Sequence, residues 1–156
     1  MFNKMLVCLD GSTLAEQIIP YAIEQALHFQ SEVVLFQAVN VPSTMVAVAP
    51  GAMAPAASVT PTPEELEKLE REARAYLEGW AANLREKSIS VNCATQIGAP
   101  AVTIINYAKE KAASLIVMAT HGRSGLSRAV MGSVADEVIR ESNLPILVMR
   151  PSEEES

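Results

Sequence analysis

Leu115-Ile116-Val117-Met118-Ala119, then Thr120-His121-Gly122-Arg123-Ser124-Gly125, then Gly132-Ser133, then Ile146-Leu147-Val148-Met149 are the successive landmarks of residues 115–150. Their order decides the fold. The first and last runs are short, apolar and rich in branched residues, as strands buried on both faces of a parallel sheet are. Between them lies a glycine-bearing loop, followed by an amphipathic helical pattern that begins at Ser133 with no acidic side chain before Asp136. A helix start carries unpaired N–H groups and partial positive charge. Glycines let the backbone come close to a ligand. The combination describes an anion cradle of the kind that takes phosphate. The competing reading of the same glycines is tight strand–helix packing alone. No Gly-x4-Gly-Lys-Ser/Thr loop is present, so the usual phosphate-gripping lysine is absent.

Outward from this stretch, strands and helices alternate. Residues 5–9 read as the first strand, ended by Asp10-Gly11-Ser12. Ser12 suits the cap of the next helix, and Glu16 falls near its positive end. Leu14, Ile18, Ile19, Ala22, Ile23, Ala26 and Leu27 follow at helical spacing, with Pro20 bending that helix or marking a restart. Glu32 to Val39 is the second strand. Residues 64–87 form a long amphipathic helix through Leu66, Leu69, Ala73, Leu77, Trp80 and Leu84, Trp80 belonging to its core face. Residues 90–97 are the third strand. Gly98-Ala99-Pro100 then turns into a helix expected to face inward through Val102, Ile105, Ala108 and Ala112. Such alternation predicts an α/β domain, an open five-stranded parallel sheet with helices on both faces.

One domain is expected over residues 1–151, with a proline- and alanine-rich insertion at 43–63 and an acidic tail at 152–156. Proline at 42, 50, 55, 61 and 63 bars a regular helix or central strand there. A connection of this length serves as a functional lid, a mobile segment or a tolerated surface insertion. Hydrophobic residues make up 49% and charged residues 19% of the 156, the composition of a compact globule. The net charge is −6, of which Glu153, Glu154 and Glu155 supply half. The body therefore carries 15 acids (18 less 3) against 12 bases. With no basic stripe, nucleic-acid binding is not expected. No apolar run reaches membrane-spanning length, and the one that opens the chain is too short for a signal core, so the expectation is a cytoplasmic protein without a membrane partner. Cys8 and Cys93 lie in expected strands with neither a CxxC nor a nearby histidine, and read as buried thiols in a reducing compartment, not as metal ligands.

Gly122 is followed by nine residues and then Gly132-Ser133, and Ala119 stands three residues before Gly122. This spacing resembles the Gly-x2-Gly-x9-Gly-Ser/Thr motif of the universal stress protein family, with alanine at the first motif glycine. The resemblance extends to Asp10-Gly11-Ser12, to Gly98-Ala99-Pro100 and to Asn143-Leu144-Pro145, and covers nearly the whole chain apart from 43–63 and the tail. It implies the strand order 3-2-1-4-5. Ligands of such sheets sit beyond the carboxyl ends of the strands where the winding reverses, here between strands 1 and 4, where Asp10 and Ala119 to Gly122 converge.

The resemblance to ATP-binding members implies a set of roles. Asp10 hydrogen-bonds the ribose, and Leu9 borders the adenine. Ala38 and Val39 offer the base a backbone edge and an apolar wall. Met118, Ala119, Gly122, Gly132, Ser133 and Val134 line ribose and phosphates, and His121 and Arg123 stand at the mouth. The implied ligand is ATP, or else ADP or AMP, with Mg2+ held mainly by the phosphates. The implied protein is a stress-response regulator that dimerises through its last strand, Ile146 to Met149. His121 otherwise reads as a loop-stabilising histidine, and Arg123 as a solvated one. If the backbone at Ala119 had to take a left-handed φ, its side chain would cost about 1–2 kcal/mol.

Other functions meet obstacles in the residues. A response-regulator receiver needs an aspartate after strand 3, which here runs Thr95-Gln96-Ile97-Gly98. A hydrolase needs a base poised near a nucleophile or water, and Asp10 is the one carboxylate the pattern puts in the crevice. No catalytic residue is therefore expected, with room for slow ATP hydrolysis at most. The alternative function is a nucleotide-free dimeric interaction protein of the same fold.

Overall fold

The computed structural model of the chain describes residues 1–41, 60–120 and 131–152. His121, Gly122 and Arg123, residues 43–59 of the proline-rich connection and residues 153–156 of the tail lie outside the described residues. In chain order the elements are β1 (Lys4–Cys8), α1 (Thr13–Glu16), α2 (Ile19–Phe29), β2 (Glu32–Val39), α3 (Pro63–Glu86), β3 (Val91–Ile97), α4 (Pro100–Glu110), β4 (Leu115–Ala119), α5 (Ser133–Glu141) and β5 (Ile146–Met149).

The strands form one sheet in the order β3-β2-β1-β4-β5, and every neighbouring pair is parallel. Order and direction are those expected. Because side chains alternate across a strand, one apolar run feeds two cores. Met5, Val7, Leu9, Val33, Leu35, Leu115 and Val117 pack with α1, α2 and α3 on one face. Leu6, Cys8, Val34, Phe36, Ile116 and Met118 pack with α4 and α5 on the other. The change of helix face between these two groups puts the reversal of winding at β1 and β4.

Local chemistry explains the element ends. Pro20 marks a restart, not a bend: α1 closes at Gln17 and Pro20 sits in the first turn of α2, where a missing N–H forfeits no intrahelical bond. Thr62 and Glu65 form a reciprocal capping box, with Glu65 N–H donating to Thr62 Oγ1 at 3.2 Å and Thr62 N–H to Glu65 Oε2 at 2.7 Å. Two donors of the first turn are thereby satisfied. At Gly98 a Cβ would come within 2.6 Å of Thr103 Oγ1, so only glycine lets the chain turn tightly into α4.

Four expected core positions are corrected. Val102 is 49% exposed, Leu27 52% and Leu69 37%, while Ala112 lies beyond the end of α4 at φ 53° and is also exposed. The buried stripe of α4 is Ala101, Ile104, Ile105 and Ala108, a run of steps three, four and seven that Val102 misses by one residue. Trp80 packs against the core, as expected. Cys8 is buried and Cys93 only partly so, and both are free thiols. Among the described residues, no helix is long and apolar enough to cross a membrane.

Candidate functional site

A crevice of about 730 Å³ opens at the carboxyl ends of β1, β2 and β4. It crosses the edge of the sheet, drawing lining residues from both cores: Leu9 and Ala15 from one, Cys8, Phe36, Ile104 and Met118 from the other. Nine of the twelve residues that the sequence nominates line it, namely Leu9, Asp10, Ala38, Val39, Met118, Ala119, Gly132, Ser133 and Val134. The other three, His121, Gly122 and Arg123, fall outside the described residues.

The turn after β1 is built around Asp10. Its Oδ1 accepts from the Ser12 N–H at 2.9 Å and from the Ser12 hydroxyl at 2.6 Å. Gly11 makes the turn possible with φ 82°, a conformation that other residues adopt only at a cost. Ser12 caps α1 by accepting from Ala15 N–H at 3.1 Å, as its position predicts. Asp10 is therefore held by its own loop at the crevice mouth.

Across the crevice, β4 ends at Ala119 and α5 begins at Ser133. Ala119 is extended, and it is absent from the positive-φ residues Gln30, Ser88, Ala112 and Asn143. The conditional strain at this position does not arise. The cap of α5 is Gly132, which supplies no side-chain hydrogen bond to the first turn. Gly132, Ser133, Val134 and Ala135 all line the crevice, so the first turn of α5, with N–H groups that no side chain caps among the described residues, borders it. That turn carries the partial positive charge of a helix start. The described lining contains no lysine or arginine, which leaves the helix start as its source of positive potential.

The floor is apolar. Phe36, Met118 and Ile104 are nearly inaccessible to solvent, and Cys8 lies among them, its thiol pushed up to about 12 by burial. At that value it is almost wholly a thiol at neutral pH, so it reacts slowly and is a poor metal ligand. Among the described residues, no group of three or more His, Cys, Asp or Glu side chains is placed to hold a metal ion.

One wall escaped the sequence reading. Leu69, Glu72, Ala73 and Tyr76 of α3 line the crevice from the β2 side. Tyr76 donates its hydroxyl to Glu16 Oε1 at 3.0 Å, and Trp80 Nε1 donates to the same oxygen at 3.4 Å. The only available signal was the amphipathic stripe of α3, which shows a buried face but not the neighbour it meets.

The comparisons agree with this geometry. The chain is 32% identical to the universal stress protein YxiE of Bacillus subtilis over 154 residues, covering 96% of this chain and 100% of that one. Its fold is similar to the solved structure of protein MJ0577 from Methanocaldococcus jannaschii, with a TM-score of 0.78 and 24% identity over 99% of both chains. It is likewise similar to a universal stress protein family protein of Arabidopsis thaliana solved with AMP bound, with a TM-score of 0.63 and 14% identity over 98% of this chain and 94% of that one. The model of the Universal stress protein family matches residues 1–150. On that match, with the parallel sheet and its crevice, the chain belongs to the universal stress protein family.

Proposed function

We propose that the crevice binds an adenine nucleotide of the ATP class and that the protein acts in a stress response as a regulator, through what it binds and not through catalysis. The observation that carries this reading is the first turn of α5, which no described side chain caps and which borders the same crevice as Asp10 and the apolar floor. A helix start attracts phosphate, an apolar slot accepts a base, and a carboxylate between them matches ribose hydroxyls. The AMP bound to the Arabidopsis relative is of the same chemical class.

In this reading Asp10 accepts from the ribose, Leu9, Ala38 and Val39 border the adenine, and Met118, Ala119, Gly132, Ser133 and Val134 line ribose and phosphates. Gly122 joins them by the family motif, with His121 and Arg123 at the mouth. Mg2+ is carried by the phosphates. Asp10 already accepts two hydrogen bonds from Ser12, which suits it to orientation more than to proton transfer; contrary to the sequence expectation it is not the one carboxylate of the crevice, since Glu72 also lines it.

The test is direct. The protein is purified without added ligand, denatured, and the released nucleotide is measured; calorimetry then follows ATP with magnesium. Adenine nucleotide in the released fraction, or saturable heat, is expected. The absence of both at millimolar ATP would overturn the reading in favour of the nucleotide-free interaction protein.

A further inference from the structure

We infer that Glu16 is a positioning residue for the crevice: its carboxylate ties the α3 wall, through Tyr76 and Trp80, to the turn that carries Asp10. This rests on the nucleotide reading for its functional meaning, but the tie itself is a property of the fold.

Asp10, Ser12 and Ala15 form one hydrogen-bonded unit, and Glu16 is the next residue along the chain. α1 is only four residues long, too short to hold itself in place, because an isolated turn does not repay the cost of nucleation. Its position is therefore set by tertiary contacts. Three stand out: the buried side chain of Ala15, the Gln17 amide paired with the Ser152 backbone at 2.9 and 3.0 Å, and, as the one that reaches α3, the Glu16 carboxylate accepting from Tyr76 at 3.0 Å and Trp80 at 3.4 Å. Tyr76 and Trp80 are four residues apart on α3 and so share one face. A hydrogen bond to a carboxylate is stronger than one between neutral groups. Burial and the Glu16 carboxylate both raise the Tyr76 pKa, so its hydroxyl keeps the proton it donates.

The tie joins two parts of the crevice lining. Asp10, Gly11 and Ala15 belong to the turn after β1 and to α1, and Ala73 and Tyr76 belong to the α3 wall. Without Glu16, Tyr76 loses this partner, the one-turn α1 is no longer held against α3, and the wall and the turn part. The width of the crevice then varies where it now has one value. Buried Cys8 in the lining is a built-in gauge of that width.

The experiment compares wild type, Glu16→Ala and Glu16→Gln in a Cys93→Ser background, so that Cys8 is the only thiol. Leu84→Ala serves as a control, since Leu84 is fully buried on the same helix and outside the crevice lining. Two quantities are read: AMP affinity by calorimetry, and the rate of Cys8 alkylation by iodoacetamide under native conditions. Glu16→Ala is expected to weaken AMP binding about tenfold, which is 1.4 kcal/mol, and to speed alkylation by a similar factor. Glu16→Gln keeps an acceptor oxygen and stays within about twofold of wild type in both, because a neutral amide still accepts from Tyr76. Leu84→Ala lowers the melting temperature and leaves alkylation within about twofold. Should wild type take up neither AMP nor ATP, the nucleotide reading falls and alkylation alone decides the role of Glu16. The inference is overturned by alkylation that is unchanged in Glu16→Ala, by Glu16→Gln behaving like Glu16→Ala, or by Leu84→Ala speeding alkylation as much as Glu16→Ala does.

Discussion

Ser12 donates its hydroxyl to Asp10 Oδ1 across 2.6 Å and, with the same oxygen, accepts the Ala15 N–H at 3.1 Å. One side chain thus caps α1 and orients the carboxylate at the mouth of the crevice. The two duties separate on mutation. Ser12→Ala removes a helix cap and is expected to cost about 1 kcal/mol of stability, within the usual range of about 0.5–2. Asp10→Ala leaves the Ser12–Ala15 cap in place, yet removes the proposed ribose acceptor. Its affinity for ATP should fall at least about tenfold, and Asp10→Asn, which keeps an acceptor oxygen, should recover part of the loss. Urea titration and calorimetry on the three variants check both halves; an Asp10→Ala protein that binds ATP like wild type would remove Asp10 from the site.

Gly132→Val tests the phosphate end. Gly132 has φ −57° and ψ 141°, a backbone that valine adopts without strain. The substitution adds volume beside the α5 start without backbone strain, at the cost of a poorer N-cap. The expected outcome is a folded protein with a modestly lowered melting temperature that no longer binds ATP. Retained binding would mean that the phosphates lie elsewhere.

The cysteines set a limit on alkaline stability. Burial raises the Cys8 thiol from 9.0 to about 12, and raises Cys93, with help from the neighbouring Glu78 carboxylate, from 9.0 to about 11. The sign follows from proton counts. Above pH 9 the unfolded chain has released thiol protons that the folded chain still holds, so stability falls with pH. The loss begins near pH 9 and, for Cys8, continues to about pH 12, with a slope of at most about 1.4 kcal/mol per pH unit for one group. Urea midpoints measured at pH 8, 9 and 10 should decline, and Cys8→Ala should decline less steeply.

The sequence and the structure agree most where the signal is local. Each buried strand announced itself by a short branched run, and the restart at Pro20 is a consequence of its missing N–H. The face of α4 was misjudged because Val102 is as apolar as Ile104, and composition alone does not say which turn of a helix meets the sheet; the phase comes from the neighbours. The crevice was legible at β1, β4 and α5 because glycine spacing and a strand-end carboxylate are chain-local features. Its α3 wall was not, since the Tyr76–Glu16 bond joins residues 60 apart in the chain. Such pairings are decided by tertiary packing, and no periodicity records them. Ala119 shows the reverse case. A glycine position in a motif suggests a special backbone, yet here the residue closes an ordinary strand.

Among the described residues β5 pairs with β4 alone, and all four of its residues are only partly buried. An apolar edge of this kind is normally covered, charged or paired. The hydrogen bonds show which groups face outward. Ile116 N–H donates to Pro145 O at 3.0 Å and Thr120 N–H to Met149 O at 2.8 Å. Because the N–H and C=O of one strand residue point the same way and alternate along the strand, Ile146 and Val148 present theirs to the open side. A second copy pairing there about a two-fold axis satisfies both edges, and two-fold dimers are the commonest oligomers. Val148→Pro removes an outward N–H while sparing the ladder to β4, the position where an edge strand tolerates proline. Leu147→Pro, by contrast, removes an N–H aimed at β4 and leaves a buried carbonyl unpaired, which is expected to destabilise the fold itself by about 1–3 kcal/mol. Sedimentation at micromolar concentration should therefore find a dimer for wild type and a folded monomer for Val148→Pro. A wild type that sediments as a monomer, or a Val148→Pro protein that still dimerises, would rule this interface out.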